Sequence, residues 1–353
     1  MIAAPKSGSG KTMITCALLQ LLKDSGKNVS SYKCGPDYID PMFHKKVLDV
    51  PSKNLDTFFT DEKTTVQLFL DKRADGDFAV LEGVMGLYDG LGGIYEQGSS
   101  YHLAKVTQTP IILVVDAKGM GKSVLALIAG FLQYDTQHLI KGVLLNRMSK
   151  GYYDIIKPLI EKELSVKVVG YLPEQKDIRL ESRHLGLVMP DELSDIKKQL
   201  NETADRLKKT IDMDLFMDIA AEADEIGDSG SADIYNVKNI GNYDQNEFSQ
   251  NKAINTVNIA VAMDEAFCFY YEDNLRLLEK CGAKLQYFSP LHDTKLPKDC
   301  DAMLLGGGYP ELYTKELSEN VSMLADIKKA FKAGLPTVAE CGGFMYLHKY
   351  IHD

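Results

Sequence analysis

The chain has 353 residues, 45% hydrophobic and 25% charged, with no apolar run near the ~18–20 residues that a bilayer span needs. That length predicts two domains, because single cores stop growing beyond roughly 250–300 residues. Fifty acidic against 40 basic residues leave a net charge of −10. This argues against a general nucleic-acid binder and leaves any polyanionic substrate to be drawn in by local devices such as helix N-termini, metal ions or single Lys and Arg side chains.

The N-terminus has no signal-peptide pattern. The six cysteines (Cys16, Cys34, Cys268, Cys281, Cys300 and Cys341) form no CxxC pair and no zinc-ligand spacing. A reducing cytoplasm, with most thiols buried, is the expected setting.

Residues 1–4 are a short apolar start, and 13–23 carry apolar residues at helical spacing. Between them lies KSGSGKT (6–12). Glycines such as Gly8 and Gly10 let backbone N–H groups approach phosphates. Lys11 would reach the β- and γ-phosphates of ATP, and the Thr12 hydroxyl would ligate Mg²⁺. Pro5 replaces the first glycine of the usual pattern. Lys6 stands where a subclass of such ATPases keeps a second lysine that reaches across a dimer; plain solvent exposure is the competing reading.

KCGPDYIDP (33–41) is a turn-rich stretch holding Asp37, Tyr38, Ile39 and Asp40. Residues 78–82 read as a buried strand, and EGVMGLYDG (82–90) follows it, with Glu82 at the carboxyl edge where an acidic metal ligand belongs. Taken singly, Asp37 and Asp40 are equally good turn residues and Glu82 a helix cap. Further strands are expected at 111–116, 143–146 and 166–171, with helices at 123–131 and 153–163. Apolar runs alternating with helices indicate an α/β fold, a P-loop parallel sheet with helices on both faces.

Residues 191–224 read as charged amphipathic helix, and 225–255, rich in Gly, Ser, Asn and Asp, as a linker. A second alternating pattern follows, with strands at 258, 284–288, 302–305 and 337–340 and helices at 274–281 and 321–333. It ends in ECGG (340–343), a strand, sharp turn and helix with Cys341 placed as a nucleophile. GGGYPE (306–311) offers the backbone N–H groups of Gly307 and Gly308 as oxyanion donors. Cys268, in a Phe- and Tyr-rich run, is expected in the core.

The set SGSGKT, KCGPDYIDP, EGVMGLYDG, VVDAKGMGKSV, SRHLGL, AVAMDEAFCFYYEDNL, FSPLHD, GGGYPE and ECGGFMYL, in this order along the whole chain, resembles the cobyrinic acid a,c-diamide synthase family. The resemblance implies a dethiobiotin-synthetase-like ATPase domain joined to a flavodoxin-like class I glutamine amidotransferase domain. Boundaries are expected at 1–195 for the ATP-dependent amidoligase domain, 196–255 for a helical segment and linker, and 256–353 for the amidotransferase part. It implies that Lys11 and Thr12 hold ATP and Mg²⁺, that Asp40 and Glu82 help bind the metal, and that Asn146 (in LLNR) recognises adenine. Asp37, Tyr38, Ile39 and Asp89 would line the corrinoid side, and Cys341 would release ammonia from glutamine. The expected partners are a corrinoid and glutamine or ammonia, with no nucleic acid or membrane, and a homodimer is allowed.

The family's amidotransferase domain runs well past its nucleophile, to a catalytic histidine. Here 12 residues follow Cys341, so an incomplete second domain with weak glutaminase activity and exposed apolar surface is expected. His348 and His352 do not match the position of that histidine, and His184 belongs to the first domain. The same reaction on hydrogenobyrinic acid or a nickel sirohydrochlorin, the related cobyric acid synthase reaction, and a partitioning-type ATPase switch are the competing readings.

Overall fold

The structure, a computed structural model, describes residues 1–71, 78–175, 190–223, 226 and 256–350. The chain divides into two units, Met1–Ala232 and Asp233–Asp353.

The first unit is built on seven parallel strands: β1 (Ile2–Ala3), β2 (Val29–Cys34), β3 (Ser52–Leu55), β4 (Phe78–Glu82), β5 (Ile111–Asp116), β6 (Ile140–Asn146) and β7 (Lys167–Leu172). Their order is β3-β2-β4-β1-β5-β6-β7. Ile2 of β1 is in register with both Glu82 and Ile112. The loop after β1 therefore opens between two crossovers that leave in opposite directions, where an open parallel sheet binds its ligand.

Alternation along β5 shows how both faces are filled. Ile111, Leu113 and Val115 join one core cluster with α4 (Ser100–Val106), α5 (Ser123–Tyr134) and α6 (Lys150–Leu164). Ile112 and Val114 join the other, with α1 (Lys11–Asp24), α2 (Ile39–Leu48), α7 (Pro190–Lys208) and α8 (Met213–Ala221). Such period-2 sorting is what a sheet covered on both sides requires. Side-chain caps start several helices: Asp61 accepts from Thr64 N ahead of α3 (Glu62–Leu70), Ser99 from His102 N, and Asp212 from Leu215 N.

Two expectations are sharpened here. The turn expected in 33–41 is confined to 35–38: Lys33 and Cys34 end β2, and Ile39 begins α2. β2 and β3 escape a periodicity reading because their sequences, VSSYKC and SKNL, are largely polar yet buried, their polar groups satisfied inside. The helical stretch at 191–224 is two helices, broken at Asp212. Leu200, Ala204 and Leu207 of α7, with Phe216 and Ile219 of α8, are buried in the core of the first unit. The linker reading for 225–255, SRHLGL with His184, and His352 lie outside the described residues, apart from residue 226.

The second unit holds a four-stranded parallel sheet of β8 (Val257–Ala262), β10 (Ala283–Phe288), β11 (Ala302–Leu305) and β13 (Thr337–Ala339), in the order β10-β8-β11-β13. Numbered within the unit this is 2-1-3-4, the flavodoxin-like winding. A small antiparallel ribbon pairs β9 (Phe267–Phe269) with β12 (Gly307–Gly308). Helices α9 (Glu272–Lys280), α10 (Thr314–Glu319), α11 (Val321–Lys332) and α12 (Gly342–Tyr346) complete the unit.

The cysteines depart from expectation. Only Cys16 and Cys34 are buried; Cys268 and Cys300 are half-buried, and Cys281 and Cys341 are exposed. Cys268 sits on the ribbon rather than in the sheet core, and Cys281 caps the end of α9. Among the described residues no helix is long and apolar enough to cross a membrane.

Leu207 is fully buried in α7. Leu207→Ala is expected to lower the unfolding free energy of the first unit by about 2–5 kcal/mol in urea. A loss below about 1 kcal/mol would show that α7 is not part of that core.

Candidate functional site

The loop after β1 has the geometry of a phosphate cradle. Gly8 and Gly10 take φ of 75° and 90°, in the left-handed region that favours glycine. A side chain at Gly10 would also collide with Asn146, whose Nδ2 would lie 2.3 Å from the new Cβ. Asn146 is tied to this loop: Nδ2 donates to Ser9 O at 2.8 Å, and Oδ1 accepts from Arg147 N at 2.9 Å. Lys6 is exposed, while its carbonyl accepts from Ser9 Oγ at 2.9 Å.

Lys11 is buried and donates to Met85 O at 2.5 Å and Lys6 O at 3.4 Å. Burial, and then the charge of Lys33, lower its pKa to about 8. Those two carbonyls hold the ammonium where phosphate oxygens are the better acceptors, being charged.

At the centre stands a group of which the sequence reading assigned only part. Lys33, at the end of β2, lies 2.5 Å from Asp40 Oδ2 and 2.8 Å from Glu82 Oε1, with all three residues buried. Thr12 Oγ1 donates to the same Glu82 Oε1 at 2.6 Å. Behind them His44 is fully buried: its Nδ1 pairs with Ser31 Oγ at 2.9 Å, and its Nε2 faces Glu82 Oε2 at 3.6 Å. Neither His44 Nε2 nor Glu82 Oε2 has a hydrogen-bond partner.

One ammonium thus serves two carboxylates. Burial alone would raise Asp40, but Lys33 holds it below the usual carboxylate range. Complete burial pushes Glu82 up to about 7, against the pull of Lys33 and with the push of Asp40. Burial opposes the charge on Lys33, yet Glu82 and Asp40 together keep it protonated far above neutrality. Burial lowers His44 to about 4, so the ring is neutral at pH 7 and Lys33 supplies the balancing charge.

The remaining predicted residues sit around this group. Asp37 Oδ1 accepts from Ile39 N at 2.8 Å, an Asx turn that leads into α2. Asn54 Nδ2 donates to Gly35 O and Asp37 O at 2.8 and 2.7 Å, fixing the same turn. Tyr38 is half-buried, whereas Ile39 packs against the core. Asp89 Oδ2 accepts from Gly86 N at 3.0 Å and shapes its own loop. Lys33 and His44 are the residues that motif reading left without a role. The signals for them are a charged side chain ending a central parallel strand, and a histidine four residues after Asp40 on one helix face.

The donor chemistry suits a hard dication. Among the described residues no three His, Cys, Asp or Glu side chains form a metal cage. Magnesium takes one or two carboxylates with phosphates and water rather than an all-protein cage. Thr12 gives its proton to Glu82, which leaves its oxygen lone pairs for a cation.

In the second unit the structure brings GGGYPE and ECGG together. Cys341 takes φ 47° and ψ −112° at the start of α12, a strained conformation that presents Sγ to solvent. A Cβ on Gly307 would lie 3.5 Å from Cys341 Cβ. Gly343 permits the tight turn: its Cβ would meet Leu305 O at 2.2 Å. Tyr270 OH accepts from Gly306 N at 2.7 Å and donates to Ala262 O at 2.6 Å, holding the glycine run. Among the described residues no side chain hydrogen-bonds to Cys341 Sγ. His348 Nδ1 pairs with Phe344 O at 2.8 Å, and His292 Nε2 with Glu265 at 3.0 Å.

Comparison with known proteins agrees with both halves. The CobQ/CobB/MinD/ParA nucleotide binding domain matches residues 1–188, and the CobB/CobQ-like glutamine amidotransferase domain matches 258–353. Cobyrinate a,c-diamide synthase of Clostridium tetani is 39% identical over 353 residues, covering 100% of this chain and 75% of the relative. The synthases of Caldanaerobacter subterraneus and Thermoplasma volcanium are each 40% identical over 354 residues, covering 100% and 99% of this chain and 74% and 73% of theirs. Among solved structures, the MinD cell division protein of Aquifex aeolicus is similar over 59% of this chain and 95% of its own, at 16% identity and a TM-score of 0.37, too slight a likeness to bear on the site.

Removing Lys33 isolates the charge argument. Lys33→Met leaves two buried carboxylates without a counter-charge and is expected to cost about 3–5 kcal/mol of stability at pH 8. The sign of the pH effect follows from Glu82. Its carboxyl takes up a proton on folding between its ordinary 4.5 and about 7, so its own contribution to stability falls as pH rises through that window, while buried His44 and the buried N-terminus, which give up protons on folding, contribute in the opposite sense. Those opposing contributions are present in wild type and variant alike, so the deficit of the variant relative to wild type should shrink as pH drops toward 5. A deficit independent of pH would contradict the charge argument.

Proposed function

Because the chain belongs to the cobyrinate a,c-diamide synthase family, whose members are carbon–nitrogen ligases of cobalamin biosynthesis with a glutamine amidotransferase domain, we propose that its first unit activates the a and c acetate carboxylates of cobyrinate with ATP. The observation that carries the reading is the meeting of Thr12, Glu82, Lys33 and Asp40 beneath the phosphate loop. A carboxylate is a poor acyl donor. Attack of its oxygen on the γ-phosphorus, with ADP leaving, gives an acyl phosphate. Ammonia then adds to the carbonyl carbon and inorganic phosphate departs.

Phosphoryl transfer of this kind rests on positioning and charge neutralisation more than on covalent chemistry. Lys11 turns from the Met85 and Lys6 carbonyls to the phosphates. Thr12, Asp40 and Glu82 would hold Mg²⁺, which would neutralise phosphate charge. Lys33 keeps Asp40 and Glu82 in place. Gly8 and Gly10 give the backbone access to phosphate, and Asn146 joins that loop to the end of β6, the adenine side. Asp37, Tyr38 and Asp89, with the part of Ile39 that its packing leaves open, face the corrinoid.

In the second unit Cys341 attacks the glutamine amide and Gly307 and Gly308 donate to the oxyanion. The Cys341 thiol must give its proton to a base before it attacks, and among the described residues no side chain hydrogen-bonds to its Sγ. ATP use and six free cysteines fit a cytoplasmic setting.

The test is Mg-ATP-dependent amidation of cobyrinic acid, run in parallel with ammonium and glutamine. Amide is expected with ammonium and at most weakly with glutamine. Lys11→Ala should lower the ammonium-dependent kcat at least about 100-fold, in the range seen when one group stabilising transition-state charge is removed, while Cys341→Ser leaves it unchanged. ATP turnover that is indifferent to corrinoid and yields no amide would overturn the reading.

A further inference from the structure

The carboxyl edge of the first sheet displays apolar side chains that the core does not use. Phe58 and Phe59, on the loop after β3, are 52% and 69% exposed. Leu91, Ile94 and Tyr95, on the loop after β4, are 44%, 80% and 60% exposed, and Met85 beside the phosphate loop is 44% exposed. Scattered apolar residues are ordinary on a protein surface, but a contiguous group is not.

These residues stand on loops that are built and joined. Leu91 N donates to Gln97 O at 2.8 Å and closes the loop on itself. At its neck a side chain on Gly90 would collide with the carbonyls of Tyr95 and Gln97, each 2.3 Å away. The position of a Cβ on Gly98 is 3.5 Å from Phe58 Cβ, so the two loops touch. A hydrogen bond of 2.9 Å between Thr57 Oγ1 and His102 Nδ1 fastens the β3 loop to α4. The Phe58 and Phe59 rings meet edge to face at 5.2 Å.

We propose that this rim of Phe58, Phe59, Leu91, Ile94 and Tyr95, with Met85 at its inner end, seats the flat face of the tetrapyrrole ring; the inference rests on the functional reading above. Position argues for it: the rim runs directly on from Asp89, and Met85 shares its carbonyl with Lys11, so a ring lying on it is continuous with the reaction centre. Charge argues for it too. Cobyrinate is a polycarboxylate and the chain carries a net −10, so overall electrostatics oppose binding, and apolar contact with the macrocycle adds to what local positive groups supply against them. A ring amidated at two separate acetate arms must also be released and presented again. Apolar contact without fixed direction tolerates both orientations, whereas a rigid polar lock would not.

The test measures binding of cobyrinic acid by equilibrium dialysis, read from the corrinoid absorbance, beside calorimetric binding of Mg-ADP. The double variant Phe59→Ser/Ile94→Ser is expected to weaken corrinoid binding at least about tenfold. Mg-ADP affinity, thermal midpoint and oligomeric state should stay unchanged, and Phe59→Leu/Ile94→Leu should retain most of the affinity. Wild-type corrinoid affinity in the Ser variant would overturn the proposal. So would a change of oligomeric state with affinity kept, which would make the rim a contact between copies. A wild-type chain that binds Mg-ADP but no corrinoid would overturn the functional reading and the proposal with it.

Discussion

Two buried carboxylates share one buried ammonium at the carboxyl ends of β2 and β4, and the rest of the first unit is arranged around that imbalance. Burying an unpaired carboxylate is costly enough that the chain must either pair it or protonate it. Here it does one to each: Asp40 is held ionised by Lys33, while Glu82, fully buried, moves toward its neutral form. A dication beside Glu82 would complete the balance by drawing that carboxyl back to its ionised form. Thr12, bonded to Glu82, ties that balance to the start of α1 and so to the phosphate loop. Lys11 is part of the same economy of charge, because Lys33 nearby helps to lower its pKa.

The sheet explains why these groups can meet. Lys33 and Glu82 are in register on adjacent strands β2 and β4, and Ile2 of β1 pairs with Glu82 on the other side. Three chain segments far apart in sequence therefore deliver their ends to one edge, with no need of long loops. The second unit uses the same device on a smaller sheet: Gly307 and Gly308 follow β11, and Cys341 follows β13, its partner in the ladder. In both units the reactive groups stand at or just beyond strand ends, next to glycine-rich turns.

Much of this was legible in the sequence. Long apolar strands such as β5 and β6 announce themselves, and the phosphate loop and ECGG combine spacing with a strand–turn–helix context. What escaped has a common cause. β2 and β3 are polar strands buried around the site, so hydrophobic periodicity passes over them, and Lys33 and His44 were passed over with them. Their burial depends on partners from other strands, Glu82 and Ser31 among them, that no local window contains. Asp37 and Asp89 carry a further local role that their motifs do not announce: each has a carboxylate oxygen engaged in shaping its own turn. Of the helical segment expected from 196 onward, residues of α7 and α8 pack into the core of the first unit, an attachment that their charged faces conceal in the sequence.

The account stands on direct phosphoryl transfer from ATP to a carboxylate of the corrinoid at this charge-balanced edge. The decisive measurement is isotopic. Cobyrinate carrying ¹⁸O in its a and c carboxylates is amidated with Mg-ATP and ammonium, and the released phosphate is analysed by mass. The account predicts one ¹⁸O in phosphate for each amide formed, since the carboxylate oxygen bridges carbon and phosphorus and leaves with phosphate. Amide formation with unlabelled phosphate would contradict it.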